Sequence, residues 1–387
     1  MKARAYNDFW TLAILVRWLT AAMAVMYHVR FLLFAPYPNV NDTGWALTIF
    51  YFVTGLGHEA FVMYMVISGL LIGGPAVRRW LRGINPCSDL VRRSTWFYSL
   101  LTPALLFGGA YDLIGSSRFA ASGVYAYFPQ YSPMLNLETF TGNMLMLQRF
   151  VVPGLGSNTM LYLLAYECWA YLILFAWFVL RKRNLALAWH TSLFVTVAGG
   201  LLAPEFIGYF ILWMLGMGVY RTGHNTGVRI SRLYGVLAFT VGLLASRLGG
   251  AHLHQMPDAI IPAVRMALDL LFGSGFALLA MAVLTTQEQH AIPARFQLSA
   301  WKLNRNFKGA DMVLFATHFP FMMFIVAAAS SAFHVTLGAQ PGAPAFAMFG
   351  VTIFAIYLHA YAFSAWISPL AEIARQKMML PWRHYFK

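Results

Sequence analysis

The first long apolar stretch of the chain carries two residues that can do chemistry, Arg17 and His28. They are eleven residues apart, close to three helical turns, so a helix would place both on one face, about 16 Å apart along its axis. Histidine can take up a proton near neutral pH, and arginine binds anions. Such side chains are costly inside a membrane helix and usually face a cavity or a partner. The alternative is structural, with Arg17 reaching one membrane edge and His28 lying near the other.

Two further residues inside apolar stretches could act in catalysis. Glu167 lies near the middle of a later stretch, where a lone carboxylate is expensive. We expect it to pair with Arg17 or to orient His28, unless it is a neutral side chain bonded to a backbone carbonyl. Ser68 could act as a nucleophile, although a Ser-Gly pair such as Ser68-Gly69 is more typical of close helix packing.

The remaining candidates would bind ligands. His58 and Glu59, near the end of the second apolar stretch, could meet a substrate or form an interfacial pair in water. His318 lies about a third of the way into its own stretch. A basic cluster follows the second stretch, and arginine recognises phosphate well, but a cytoplasmic loop would look similar without a ligand. Its members are Arg78, Arg79, Arg82, Arg92 and Arg93.

The composition shows what must position these residues. The chain has 387 residues, of which 60% are hydrophobic and 10% charged, whereas soluble domains have roughly 45–50% apolar and about 25% charged residues. A bilayer must therefore solvate most of the surface. The net charge of +14 would suggest nucleic acid on a soluble protein. Here the basic residues lie between apolar runs, so we expect them to set membrane orientation and expect no nucleic-acid partner.

Apolar stretches of about 20 residues predict an all-α, polytopic bundle of about ten spans. They fall at 10–34, 47–74, 94–115, 159–180, 185–203, 206–221, 233–250, 260–285, 310–333 and 344–368.

The basic residues predict the orientation of these spans. With the N-terminus in the cytoplasm, 21 of the 27 lysines and arginines lie on the cytoplasmic side, which places the C-terminus there too. We interpret 1–387 as a single membrane domain that keeps its first helix and ends in a cytoplasmic tail at 369–387. Segment 116–158 is predicted to be extracytoplasmic, with a re-entrant half-helix at 140–152.

Four ordered motifs resemble the acyltransferase-3 family of integral membrane acyltransferases, in its stand-alone form without an attached soluble domain. The first is Arg17 and His28 in a helix rich in small residues. The second is GHEAFVMYMVISGLLI at 57–72, which is similar to the family's second-helix motif. Two weaker matches are LYLLAYECWAY at 161–171 and LFATHFP at 314–320. The resemblance covers nearly the whole chain.

This resemblance implies an enzyme that moves an acyl group, usually acetyl, from cytoplasmic acyl-CoA to a hydroxyl of an extracytoplasmic carbohydrate or glycoconjugate. It implies catalytic roles for His28, Arg17 and Glu167. His28 would be the base or a transient acyl carrier, and Arg17 would stabilise the oxyanion or hold CoA phosphates. The arginine cluster would bind acyl-CoA, and His58, Glu59 and His318 the acceptor.

The resemblance also bears on surroundings and partners. It implies a bacterial inner membrane, with membrane lipids and polysaccharide biosynthesis machinery as partners. No metal is expected, because Cys87 and Cys168 show no metal-ligand spacing.

Two other function classes remain open. A transporter or flippase could use Arg17, His28 and Glu167 as an intramembrane relay, although such proteins often show two repeated halves and none is evident here. A scaffold supporting a polysaccharide synthase would need no chemistry, and loss of His28 would then be harmless. Turnover of acyl-CoA separates the enzyme from both.

Overall fold

The computed structural model describes residues 2–41, 43–128, 131, 134–225, 228–285, 296, 298–300, 302 and 310–379. Within this part of the chain the fold is helical, without β-strands, and the predicted all-α bundle is confirmed. The helices are α1 (Lys2–Leu33), α2 (Trp45–Thr54), α3 (Gly57–Ser68), α4 (Gly74–Leu81), α5 (Pro86–Arg118), α6 (Val124–Tyr127), α7 (Leu137–Met144), α8 (Tyr162–Leu180), α9 (Leu185–Leu202), α10 (Glu205–Asn225), α11 (Arg232–His252), α12 (Ile261–Thr285), α13 (Ala310–Phe333) and α14 (Ala343–Met379).

Nine helical stretches among the described residues are long and apolar enough to cross a membrane, so the chain is an integral membrane protein. Nine of the ten predicted spans match them to within a few residues at most boundaries. The exception is 206–221, which forms α10. Glu205 and Arg221 near its ends, and three glycines between them, lower its apolar content. It nevertheless packs along α3 and α12 inside the bundle.

Helix starts follow from local chemistry. Asn85 precedes α5, and its side chain accepts a hydrogen bond from the backbone N–H of Cys87 at 2.9 Å, with Pro86 at the first helical position. Asn136 and Asn184 cap α7 and α9 in the same way. Each amide satisfies a backbone donor that the first helical turn leaves unpaired.

Helices α1, α3 and α13 form the centre of the bundle. Helices α1 and α13 run parallel, because Arg17 contacts Asp311 and His28 contacts His318 in the same order along both. Beyond these contacts, the backbone N–H of Gly338 donates to the carbonyl of Leu32 at 3.2 Å. The central helices are tied together over the whole length that carries the candidate residues.

The helix that begins at Gly57 changes its hydrogen bonding at a π-helical segment, Gly69–Gly73, before it continues as α4. Here α10 approaches closely: a Cβ on Gly69 would overlap the backbone carbonyl of Trp213, and one on Gly216 would overlap that of Val66. The indole N–H of Trp213 donates to the Ser68 hydroxyl at 3.0 Å. These contacts favour the packing interpretation of Ser68-Gly69 over the nucleophile.

The connection between α5 and α8 differs from its prediction. Helix α7 ends at Met144, and turns follow it, so the bounds predicted for a half-helix at 140–152 are wrong. Buried side-chain amides bond backbone carbonyls instead: Asn143 donates to Pro153, Gln148 to Leu161 and Asn158 to Ala316 on α13, at 2.9–3.0 Å. The turns after α7 are stable because these amides satisfy buried backbone carbonyls.

The outward faces are apolar, as a lipid environment requires. Leu201 is 80% exposed, and Phe194 and Phe354 are similarly open. A water-soluble bundle would not carry so many exposed large apolar residues on several helices. At the C-terminal end, α14 continues past the predicted span, so residues 369–379 of the predicted tail are helical, and 380–387 lie outside the described residues. The predicted cytoplasmic connector 286–309 lies largely outside them as well.

Candidate functional site

Two buried histidines meet at the centre of the bundle. His28 on α1 and His318 on α13 are 4% and 1% exposed. The Nδ1 of His28 lies 2.9 Å from the Nε2 of His318, and their rings stack with centroids 5.1 Å apart. The structure thus brings together two candidates that are separated by 290 residues in the sequence.

Hydrogen bonds define the tautomers of this pair. The Nδ1 of His318 lies 2.8 Å from the carbonyl of Leu314 and 3.1 Å from that of Phe315. Carbonyl oxygens only accept, so this Nδ1 carries the proton, and the Nε2 of the neutral ring is an acceptor. The Nδ1–H of His28 therefore donates to it. This leaves the Nε2 of His28 with its lone pair, the state a general base requires.

The walls around His28 are aromatic. Phe319 meets its ring edge-on at 4.9 Å, and Phe61 lies at 6.1 Å. The neighbouring Tyr27 stands edge-on at 5.3 Å. The Nε2 of His28 has no hydrogen-bond partner among the described residues, so the ring is held through Nδ1 alone.

Arg17 is paired with a carboxylate that the sequence analysis did not select. Its Nη2 lies 2.5 Å from the Oδ2 of Asp311, whose side chain is 9% exposed, while that of Arg17 is 29% exposed. Asp311 lies in the first turn of α13 and is the second residue of a predicted span. The chain has only 13 acidic residues, so a carboxylate at the start of an apolar helix indicates a paired or functional side chain.

Glu167 has a different partner from the one expected. The Tyr64 hydroxyl donates a short hydrogen bond to its Oε2. Neither the pairing with Arg17 nor a contact with His28 forms, because α3 stands between α8 and the α1 face that carries them. The ring of Tyr64 stacks on Phe315 at 5.1 Å and 5°. Phe315 lies one turn before His318, so Tyr64 links the Glu167 region to the histidine pair.

Three of the five clustered arginines converge on one buried carboxylate. Asp89, 1% exposed, lies 2.8 Å from Arg79, 2.6 Å from Arg92 and 3.5 Å from Arg93. The guanidinium of Arg93 also lies over the ring of Tyr171 at 5.2 Å. Three guanidinium charges exceed one carboxylate charge by two. The Nε atoms of Arg79 and Arg93 are buried without hydrogen-bond partners among the described residues, although the Nε of Arg93 forms the 3.5 Å ion pair with Asp89.

The other two arginines of the cluster stand apart from Asp89. Arg78 donates to the Tyr220 hydroxyl at 3.4 Å, and Arg82 is exposed beyond the end of α4. We call the end of the bundle that holds Arg79, Asp89, Arg92 and Arg93 the arginine end.

His58 and Glu59 lie at the opposite end, beside a cavity of about 260 Å³. The Nε2 of His58 lies 2.6 Å from the Oδ1 of Asp269, and the Ser246 hydroxyl donates to the Oε1 of Glu59 at 3.0 Å. Glu59 is only 2% exposed, whereas the side chain of His58 is 30% exposed, so burial argues against the interfacial alternative for Glu59 alone. We call this cavity the Glu59 pocket; its lining includes Tyr27, His58, Glu59, Arg247, Arg265 and Asp269.

Comparisons of this chain with protein-family models, with curated proteins and with solved structures give no match. We therefore infer function from the residues of the site and from the sequence motifs. The bundle positions three polar groups along its axis: the arginine end, the centre with both histidines, and the Glu59 pocket.

Proposed function

We propose that the chain is a membrane O-acyltransferase that moves an acyl group, such as acetyl, from cytoplasmic acyl-CoA to a hydroxyl of an extracytoplasmic carbohydrate or glycoconjugate. The observation that carries the proposal is the His28–His318 pair, in which the Nε2 of His28 is free to accept a proton in a water-poor interior. The sequence motifs support the same reaction. The membrane we propose is a bacterial inner membrane, with the arginine end cytoplasmic.

The reaction needs a base because a sugar hydroxyl is a weak nucleophile. The Nε2 of His28 takes the hydroxyl proton while the oxygen attacks the thioester carbonyl carbon. The carbon–sulfur bond then breaks, and the proton passes from His28 to the departing CoA thiolate. His318 accepts the Nδ1–H of His28 and stabilises the imidazolium that forms between these steps.

Distance favours one of the two roles open for Arg17. It lies eleven residues before His28 on α1, about 16 Å along the axis. An arginine side chain at that distance does not reach the carbonyl attacked beside His28. Its position toward the arginine end favours contact with the CoA part of the donor. Asp311 holds it there.

A transporter or flippase is the second candidate, and one observation favours it. The interior holds the Arg17–Asp311 ion pair and the Tyr64–Glu167 hydrogen bond, which are the kinds of group that relay protons in membrane transporters. The two functions differ in covalent chemistry: only the enzyme breaks the thioester.

The deciding experiment measures acetyl-CoA turnover by the purified protein in nanodiscs, with a carbohydrate pool as acceptor. We expect free CoA and labelled sugar from the wild type. Binding of acetyl-CoA without turnover would show that the acceptor pool is wrong. If the protein neither binds nor turns over acyl-CoA of any chain length, the transporter becomes the preferred function.

His318 is expected to act as a positioning residue. His318→Leu removes the acceptor for the Nδ1–H of His28, so we expect kcat for acyl transfer to fall at least tenfold with little change in KM for acyl-CoA. His318→Gln retains an acceptor in its side-chain carbonyl and should recover part of the rate. Steady-state kinetics of both variants provide the test. Equal rates for Leu and Gln would contradict the role.

Arg93 and Arg82 form a matched test of donor binding. Arg93→Gln removes a guanidinium at the net positive arginine end, and we expect CoA affinity to fall about tenfold or more. Arg82→Gln, on an exposed residue of the same cluster, should change affinity less than twofold. Calorimetric titration with CoA measures both. A similar loss of CoA affinity in the two variants would indicate general charge attraction and no defined CoA site at Arg93.

A further inference from the structure

The Glu59 pocket is a small, charged cavity that is connected to the histidine pair through Tyr27. Its volume of about 260 Å³ lies just below the range of roughly 300–1,000 Å³ typical of small-molecule sites. Tyr27 lines it and stands edge-on to His28 at 5.3 Å. A ligand in this pocket would therefore contact a ring that itself contacts His28.

The carboxylates of the pocket have local partners. Asp269 accepts from His58, and the Oε1 of Glu59 accepts from Ser246, as described above. The Nη1 of Arg247 forms a long ion pair with the Oε2 of Glu59 at 3.9 Å, too far for a hydrogen bond. This Oε2 is buried without a hydrogen-bond partner among the described residues, so Glu59 offsets part of the Arg247 charge but leaves its hydrogen-bond donors available.

The arginines, in contrast, keep donors available. The Nη1 of Arg247 donates to the carbonyl of Gly55 at 3.0 Å, while its Nε is buried without a partner among the described residues. Arg265 is exposed at the rim and bonds to neither acid of the pocket. Buried guanidinium donors are costly when unpaired, so a ligand that accepts hydrogen bonds would stabilise them.

A third arginine strengthens the positive potential. Arg30 lies over the rings of Tyr27 and Tyr51, at 5.7 and 5.1 Å, and within electrostatic range of Arg247. Its Nε is also buried without a partner among the described residues. Two arginines and two carboxylates line the cavity, and the guanidinium of Arg30, over the ring of Tyr27, adds positive charge next to it.

We infer that the Glu59 pocket binds an oxyanion, a phosphate or carboxylate group, carried by the sugar that accepts the acyl group. The identification of the bound sugar as the acyl acceptor depends on the proposed function, whereas the binding of an oxyanion does not. Arg247 and Arg265 contact the oxyanion with charge-assisted hydrogen bonds. Glu59 and Asp269 lie where they can accept from hydroxyls of the same ring. The anchored sugar then presents another hydroxyl toward the Nε2 of His28.

The test measures binding without acyl-CoA, so it is independent of catalysis. Glucose 1-phosphate, glucuronate and glucose are titrated against the wild-type protein in nanodiscs of neutral lipid. We expect both anions to bind at least tenfold more tightly than glucose. Preference for only one of them would identify the oxyanion as phosphate or carboxylate. Equal affinity for all three sugars would overturn the inference.

Substitutions of the pocket arginines test whether the anionic sugars bind in the Glu59 pocket. Arg265→Gln changes an exposed residue and should fold normally, yet we expect it to lose at least tenfold in affinity for the anionic sugars. Arg247→Gln should do the same, with folding verified by its melting temperature. Arg118→Gln alters an exposed arginine outside the pocket and should bind like the wild type. Unchanged binding in Arg265→Gln and Arg247→Gln together would overturn the assignment to this pocket.

A lipid phosphate is the competing source of the oxyanion. Repeating the titration in nanodiscs with anionic lipid distinguishes the two sources. If anionic lipid does not compete with glucose 1-phosphate, the oxyanion belongs to the sugar, as inferred. If it displaces the sugar and Arg265→Gln abolishes that competition, the pocket holds a lipid headgroup and the inference fails. Absence of acyl transfer with intact anion binding would refute the enzyme and leave the anion site standing.

Discussion

We expect His28→Ala to lower acyl transfer by about 10²–10⁴-fold, the range typical of losing a general base. The structure supports so large an effect because the Nε2 of His28 has no other partner among the described residues and His318 holds its tautomer. His28→Gln should lose as much, since a glutamine can still donate to His318 but has no basic nitrogen. Transfer of labelled acetyl to sugar, at saturating acetyl-CoA, measures the loss.

The control for this prediction is His254→Ala, which removes an exposed histidine away from the pair and should leave the rate unchanged. Melting temperature and size-exclusion profile verify that the His28 variants remain folded. Folded His28 variants with wild-type activity would remove His28 from the mechanism.

The ion pair between Arg17 and Asp311 gives the second large effect. Asp311→Asn leaves the Arg17 charge without its partner in a mostly buried position, and we expect a loss of about 3 kcal/mol in the free energy of unfolding. This is the lower end of the usual range, because Arg17 is 29% exposed and retains some water. Glu138→Gln, which changes an exposed residue of α7, should change stability by less than about 0.5 kcal/mol. Reversible unfolding in mixed micelles provides the measurement.

The double variant Arg17→Gln with Asp311→Asn separates stability from function. With neither charge present, no buried ion is left unpaired, and we expect most of the lost stability to return. Affinity for acetyl-CoA should nevertheless stay low, because the guanidinium that faces the donor is gone. Recovery of both stability and affinity would mean that Arg17 only supports the fold.

Much of the fold could be predicted from the sequence, because crossing a bilayer requires about 20 consecutive apolar residues. Boundaries such as Thr11–Leu33, Thr159–Leu180 and Ile261–Thr285 agree with the apolar runs to within one residue. The failure at 140–152 has a local cause. The apolar residues there pack into turns bonded by Asn143 and Gln148, which hydropathy does not distinguish from a helix.

The site was only partly predictable. The spacing of Arg17 and His28 requires a common helix face, and the structure places both in the interior of the bundle. Their partners, Asp311 and His318, are almost 300 residues away, and one sequence contains no record of such contacts. The expectation that Glu167 would meet Arg17 failed for the same reason, since Tyr64 on the intervening helix takes its carboxylate.

The π-helical segment Gly69–Gly73 sets the rotational phase of the helix that contains it. A π turn closes its hydrogen bond five residues back instead of four, so it accommodates one residue more than an α turn. Loss of one residue within this segment would therefore leave a continuous α-helix in which Tyr64 still faces Glu167 and Arg79 still faces Asp89. Loss of one residue in the α-helical turns between Tyr64 and Gly69 would instead rotate everything beyond it by about 100°. The second deletion, and not the first, would uncouple the arginine end from the centre without breaking the helix.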